Sequence, residues 1–248
     1  MFWPFSKKKK ESNKQQYMDE LNAKSSAFFQ AIDERRREDP LIGAKLGAKE
    51  FVQRIMEGMK DEKGVHIESM LCAFGALAGY SCQAGVRQLL VHENGINEKE
   101  AFVIVDCADG RKYFAGETLN KPLVESQYSV WALAGGAAQH LGAENLIDIG
   151  EIFKYVIQTV GSEKFGILRI SEDHKPGDLP CNYLKYLWPA IFPVVKQFCS
   201  APVEWPILFG LAIQEVMYSG KDVIAPLQAL MIVMESAVPM SKVDFNSL

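Results

Sequence analysis

The sequence predicts a predominantly helical α+β protein, and three observations carry that prediction. Two 18-residue stretches, 69–86 and 126–143, hold no Asp, Glu, Lys or Arg and are rich in glycine and alanine. Between them lies a hairpin pattern: an apolar run over 101–105, the turn Ala108-Asp109-Gly110-Arg111, and a return run over 112–115. Most of the remaining chain places apolar residues at steps of three and four, punctuated by proline and glycine. The expected architecture is several packed helices around two central small-residue helices, with a small antiparallel β-hairpin or three-stranded sheet.

The chain opens with Phe2, Trp3 and Phe5, followed by Lys7, Lys8, Lys9 and Lys10. The charges follow the aromatics and no apolar core precedes a cleavage site, so this is not a secretory signal. Residues 1–14 read as a flexible tail whose aromatics and lysines suit peripheral contact with an anionic membrane surface. Residues 15–248 read as a single mainly helical domain. Tyr17, Met18, Leu21, Phe28, Phe29 and Ile32 recur at helical spacing, and Asp39-Pro40 ends that pattern. A second helix is expected over 45–60 from Leu46, Val52, Ile55, Met56 and Met59.

The first uncharged stretch follows the turn Asp61-Glu62-Lys63-Gly64 and is expected to stay helical to about Val91. Cys72, Gly75, Ala76, Gly79, Cys82, Gln83 and Val86 share or border one face. Glycine inside a helix costs roughly 0.8–1 kcal/mol against alanine, so this face calls for the close approach of another backbone. The second stretch, a helix over 126–141, repeats the arrangement: Ala76-Leu77-Ala78-Gly79 with Gln83 is echoed by Ala132-Leu133-Ala134-Gly135 with Gln139. The two helices are therefore expected to cross each other, and their glutamines to be buried and to need partners. Gln83, Gln139, Tyr80, Trp131, His140 and Glu125 are the candidate ligand-binding residues on this reading. The bland alternative makes the glutamines satisfied core groups.

His66 and Glu68 stand at the first helix start, where a capping role competes with an acid–base pair. Residues 116–122 form a polar loop, a plausible site rim. Asp148 with Glu151 three later predicts a capped helix carrying Ile149, Ile152, Phe153, Val156 and Ile157, closed by Gly161. Residues 165–170 suggest a third strand, and 171–179 a polar loop holding His174. Beyond it Pro180 opens a helix that Pro189 and Pro193 should interrupt. Pro206 opens another that Gly220 ends, and Asp222 can cap the last, which Pro239 stops.

Composition bounds function. Residues 1–14 net +4 and the rest −8, within a formal charge of −4. An acidic body of this kind argues against nucleic-acid binding. Five cysteines without CxxC spacing read as reduced thiols in a cytoplasmic protein, with no disulfide framework or metal site. The uncharged stretches reach the lower length of a membrane span, but their Gly, Ala, Ser and Gln content speaks for a buried soluble helix. No catalytic or cofactor fingerprint is present, so cofactors stay undefined. The sequence therefore favours a binding protein for a partner protein or a small molecule. The alternative is an enzyme on a small polar substrate with a His/carboxylate pair. The apolar C-terminal segments serve either a homodimer or a core within one chain.

Overall fold

A computed structural model describes residues 25–108 and 110–248. The aromatic-lysine segment, the boundary expected at 14/15 and Asp109 lie outside the described residues. Residues 25–43 and the chain from Ala44 to Leu248 belong to two compact units. In the first, residues 25–35 form helix α1, on which Phe28 and Phe29 meet edge to face at 5.3 Å. Asp33 pairs with Arg36 at 3.1 Å. Asp39 accepts the Leu41 N–H and, with Pro40, forms the break that the sequence predicts.

Helix α2 (Ile42–Met59) begins at the junction. The second unit continues with α3 (Ile67–Val86), a π-helical extension (Arg87–Glu93), α4 (Glu98–Ala101), β1 (Val103–Asp106), β2 (Lys112–Ala115), α5 (Glu117–Asn120) and a second π-helical segment (Lys121–Glu125). Then come α6 (Val130–His140), α7 (Ile149–Thr159), α8 (Pro180–Phe198), α9 (Trp205–Ser219) and α10 (Pro226–Met240). The fold is predominantly helical α+β, as the apolar periodicity requires. Among the described residues no helix is long and apolar enough to cross a membrane.

Local chemistry sets the helix starts. Ser129 Oγ accepts the Ala132 N–H at the head of α6, and Asp148 Oδ1 accepts that of Gly150 at the head of α7. Each satisfies a donor that the first turn leaves without an intrahelical partner. Asp222 does not cap α10: Ala225 is its N-cap and Pro226 its first residue, where a missing N–H costs nothing. Helix α8 also runs unbroken through Pro189 and Pro193. Both prolines are exposed, as is Lys185 one turn earlier, so water can solvate the carbonyls of Lys185 and Pro189 that lose their N–H partners.

Helix α3 lies at the centre, buried along almost its whole length. Its main partners are α10 and α9, with α8 beside them, and α6 packs on α9 and α10. The two small-residue helices are thus not each other's principal partners. The glycine face of α3 receives α10 instead: a Cβ at Gly75 would lie 2.6 Å from the Val233 carbonyl oxygen, and one at Gly79 would overlap the Ala237 carbonyl. On α6, a Cβ at Gly135 would meet only the tip of Leu146 and one at Gly136 would meet nothing. Glycine spacing announces a close approach without naming the helix that makes it.

The hairpin pairs Ile104 with Phe114 and Val105 with Tyr113. The sheet is two-stranded, and 165–170, where the sequence suggests a third strand, is irregular. The C-terminal segment lies along the hairpin through an isolated bridge: Phe114 N–H donates to Lys242 O at 2.8 Å, Asp244 N–H to Lys112 O at 3.3 Å, and Tyr113 bridges Val243. Phe102 and Phe114 pack with Val86, Leu90 and Ile96. Over both rings lies the Arg87 guanidinium, which also pairs with Glu98.

That C-terminal segment carries Lys242 into the interior, 7% exposed, with its Nζ 5.4 Å from the Phe153 ring. Burial holds the ammonium down to about 8. The unfolded chain therefore binds more protons than the fold between about pH 8 and 10.5, and stability from this group rises with pH through that window. We expect Lys242→Met to stabilise the protein by roughly 3 kcal/mol at pH 7. The gain should fade toward pH 10.5. Urea unfolding of both proteins at pH 7 and pH 10 checks this, and an equal difference at the two values would refute it.

Candidate functional site

Two sites form at opposite ends of α3. From Ser69 to Val86 the helix spans about 25 Å at 1.5 Å per residue, so they are separate.

At the C-terminal end is a half-open cavity of about 530 Å³, lined by three segments that are distant in sequence. Cys82, Val86, Leu89 and Leu90 come from α3 and its π-helical extension. Pro202, Val203, Pro206 and Ile207 form a second wall at the start of α9, and Thr118, Lys121, Pro122 and residues 126–128 form a third. Both π-helical segments line it. Their wide turns are closed by five-residue hydrogen bonds, Asn94 N–H to Leu89 O and Ser126 N–H to Lys121 O. Such turns re-aim side chains and recur at functional sites. The lining is overwhelmingly apolar, and the volume falls within the range of small-molecule sites. A Cβ at Gly85 would lie 2.7 Å from Pro202 O, so glycine lets the second wall close on α3. Burial pushes the Cys82 thiol up, which leaves it unreactive near neutral pH.

At the N-terminal end a polar network joins two of the four histidines. Glu68, 7% exposed, hydrogen-bonds His174 Nδ1 through Oε1 at 3.0 Å, and its Oε2 lies 3.2 Å from His66 Nε2. His66 Nδ1 meets Ser69 Oγ at 2.8 Å, and Ser69 Oγ also accepts the Gly177 N–H at 2.8 Å. Only His174 Nε2 is left without a partner among the described residues. Cys72 sits beside Asp178 O at 3.9 Å, but burial pushes its thiol up to about 12, so it is no nucleophile. Among the described residues no group of His, Cys, Asp and Glu is arranged to hold a metal ion.

The six candidates read from the glycine-rich helices are dispersed. Gln83 is buried, and its amide donates to Ser241 O and Val243 O at 3.1 and 3.0 Å, which fastens the C-terminal segment to α3. Tyr80 packs against Trp188 and Phe245, and burial pushes its hydroxyl up to about 12. Gln139 is exposed on α6, as is His140, whose ring meets Tyr218 edge to face at 5.7 Å. Trp131 is half-buried and Glu125 is exposed. None of the six lines the cavity. The His66/Glu68 spacing and the loop with His174 were each visible in sequence, but their convergence was not. Of the cavity, the sequence marked only the rim at 116–122, which folds as α5 and the start of the second π-helical segment and supplies Thr118, Lys121 and Pro122.

Compared with known proteins, the chain matches no family model, no curated protein sequence and no solved structure.

Proposed function

We propose that the protein is a cytosolic binding protein for a small, largely apolar molecule held in the cavity at the C-terminal end of α3. The observation that carries this is the 530 Å³ cavity itself, roofed by Leu89, Leu90, Val203 and Ile207. Apolar surface left open to water on this scale is costly, and an apolar guest relieves the cost at roughly 25 cal/mol per Å² covered. The five free thiols fit a reducing compartment. The neutral probe N-phenyl-1-naphthylamine should bind with one-to-one stoichiometry and brighten. Val203 is 56% exposed, so Val203→Trp should block the cavity mouth without disturbing the core. Unchanged probe binding in that variant would count against the proposal.

A second reading is favoured by the His174–Glu68 contact. A buried carboxylate on Nδ1 orients an imidazole and leaves Nε2 as a general base for a small polar substrate. The wild-type protein would then hydrolyse p-nitrophenyl acetate faster than an equal concentration of imidazole, and His174→Gln would lose the excess. No excess rate, or one that survives the substitution, excludes this reading for ester hydrolysis.

A further inference from the structure

We infer that the cavity's guest is a single-chain amphiphile with an anionic head, its chain on the apolar walls and its head at Lys121. This rests on the binding reading above and adds the class of ligand. The cavity is chemically lopsided. The walls from α3, its π-helical extension and the start of α9 offer only carbon and the inert Cys82 thiol as side chains. Its side-chain oxygens and nitrogens, those of Thr118, Lys121, Ser126, Gln127 and Tyr128, all belong to the third wall. Thr118 is already committed, its hydroxyl donating to Ala101 O at 2.5 Å.

Among the described residues Lys121 is the one charged side chain in the lining. It is exposed, and among the described residues it has no ion-pair partner. Glu117 and Glu125 lie one helical turn to either side in sequence, but neither lines the cavity. A guest that is apolar throughout would leave the polar wall facing carbon. A cationic head would meet Lys121 with like charge. An anion gains a charge-assisted hydrogen bond there, while its chain covers the opposite walls. The second π-helical segment places Lys121 at this rim, next to Pro122, whose ring continues the apolar surface. A fatty carboxylate and an alkyl phosphate share this chemistry.

The test is calorimetric titration of the full chain with three C12 amphiphiles below their micelle concentrations: dodecanoate, dodecyl phosphate and dodecyltrimethylammonium. Wild type should prefer the better of the two anions over the cation by about tenfold. Which anion is better separates a carboxylate from a phosphate guest. Lys121→Gln should erase the preference while leaving chain-driven binding, and Lys121→Glu should reverse it. If all three bind equally in wild type and Lys121→Gln, and Val203→Trp abolishes them all, the cavity reading stands and the anionic head is wrong. If none binds, or Val203→Trp leaves binding unchanged, the cavity reading itself fails and this inference falls with it.

Discussion

Replacing Gly79 by leucine is expected to lower stability by about 3 kcal/mol or more, and so to lower the melting temperature by roughly 10 °C for a domain of this size. The reason is the contact between α3 and α10. A side chain at Gly79 has to enter the space held by the Ala237 backbone, whose Cα would lie 2.7 Å from the new Cβ. Backbone cannot rotate aside as the tip of a side chain can, so the helices must part and the α3–α10 packing loosens along its length. Gly75, one turn earlier against Val233, shares that seam. Gly136 is the internal control. It is an exposed helical glycine with nothing within 4 Å of its missing Cβ, so Gly136→Ala should stabilise by up to about 1 kcal/mol through helix propensity. Thermal melts of the two variants separate packing from propensity, and equal shifts would contradict this account of the core.

The second large effect is expected at Arg169. Its Nη2 and Nε meet Glu235 Oε1 at 2.6 and 2.9 Å, with Glu235 on α10 at 3% exposure. The same guanidinium lies 4.3 Å from the Tyr155 ring centre and donates to Glu151 O at 3.3 Å. It thereby ties the irregular segment 165–170 to α7 and α10. Arg169→Met removes the only cation that, among the described residues, pairs with the buried Glu235 carboxylate, and the stranded charge should cost roughly 3–5 kcal/mol. Adding Glu235→Leu removes that charge and should recover most of the loss. If chemical denaturation shows the double variant to be as unstable as the single one, the cost lies in lost packing and not in the unpaired carboxylate.

The helices were largely legible because each carries its own local signals. Asp148 and Gly161 bracket α7 as expected, and the two runs read as strands pair between residues 103 and 115. Signals that depend on a partner were not legible. Gly75 and Gly79 announced a close neighbour, but the neighbour is α10, whose Ser236 and Ala237 are hidden in a run of leucine, valine and methionine. Prolines at 189 and 193 read as breaks because sequence does not show that their free carbonyls face water. The run 165–170 predicts a third strand because it is largely apolar. The structure instead lays the C-terminal segment beside the two-stranded hairpin, held there by the Gln83 amide.

The same division separates the two sites. His66, Glu68 and His174 each carry recognisable chemistry in the sequence, yet only the fold brings a loop at 171–179 onto the first turn of α3. Of the cavity only the rim at 116–122 was legible in sequence, since the other walls are ordinary leucines, valines and prolines. Its opening comes from two π-helical turns that no residue pattern here announces.

Methyl-resolved NMR with Leu, Val and Ile methyl labelling, titrated with dodecanoate, tests the central claim most directly. Binding in the cavity predicts saturable shifts at Val86, Leu89, Leu90, Val203 and Ile207, and none at Leu184 or Ile152 in the distant core. An unperturbed spectrum, or shifts confined to residues outside that wall, would contradict it.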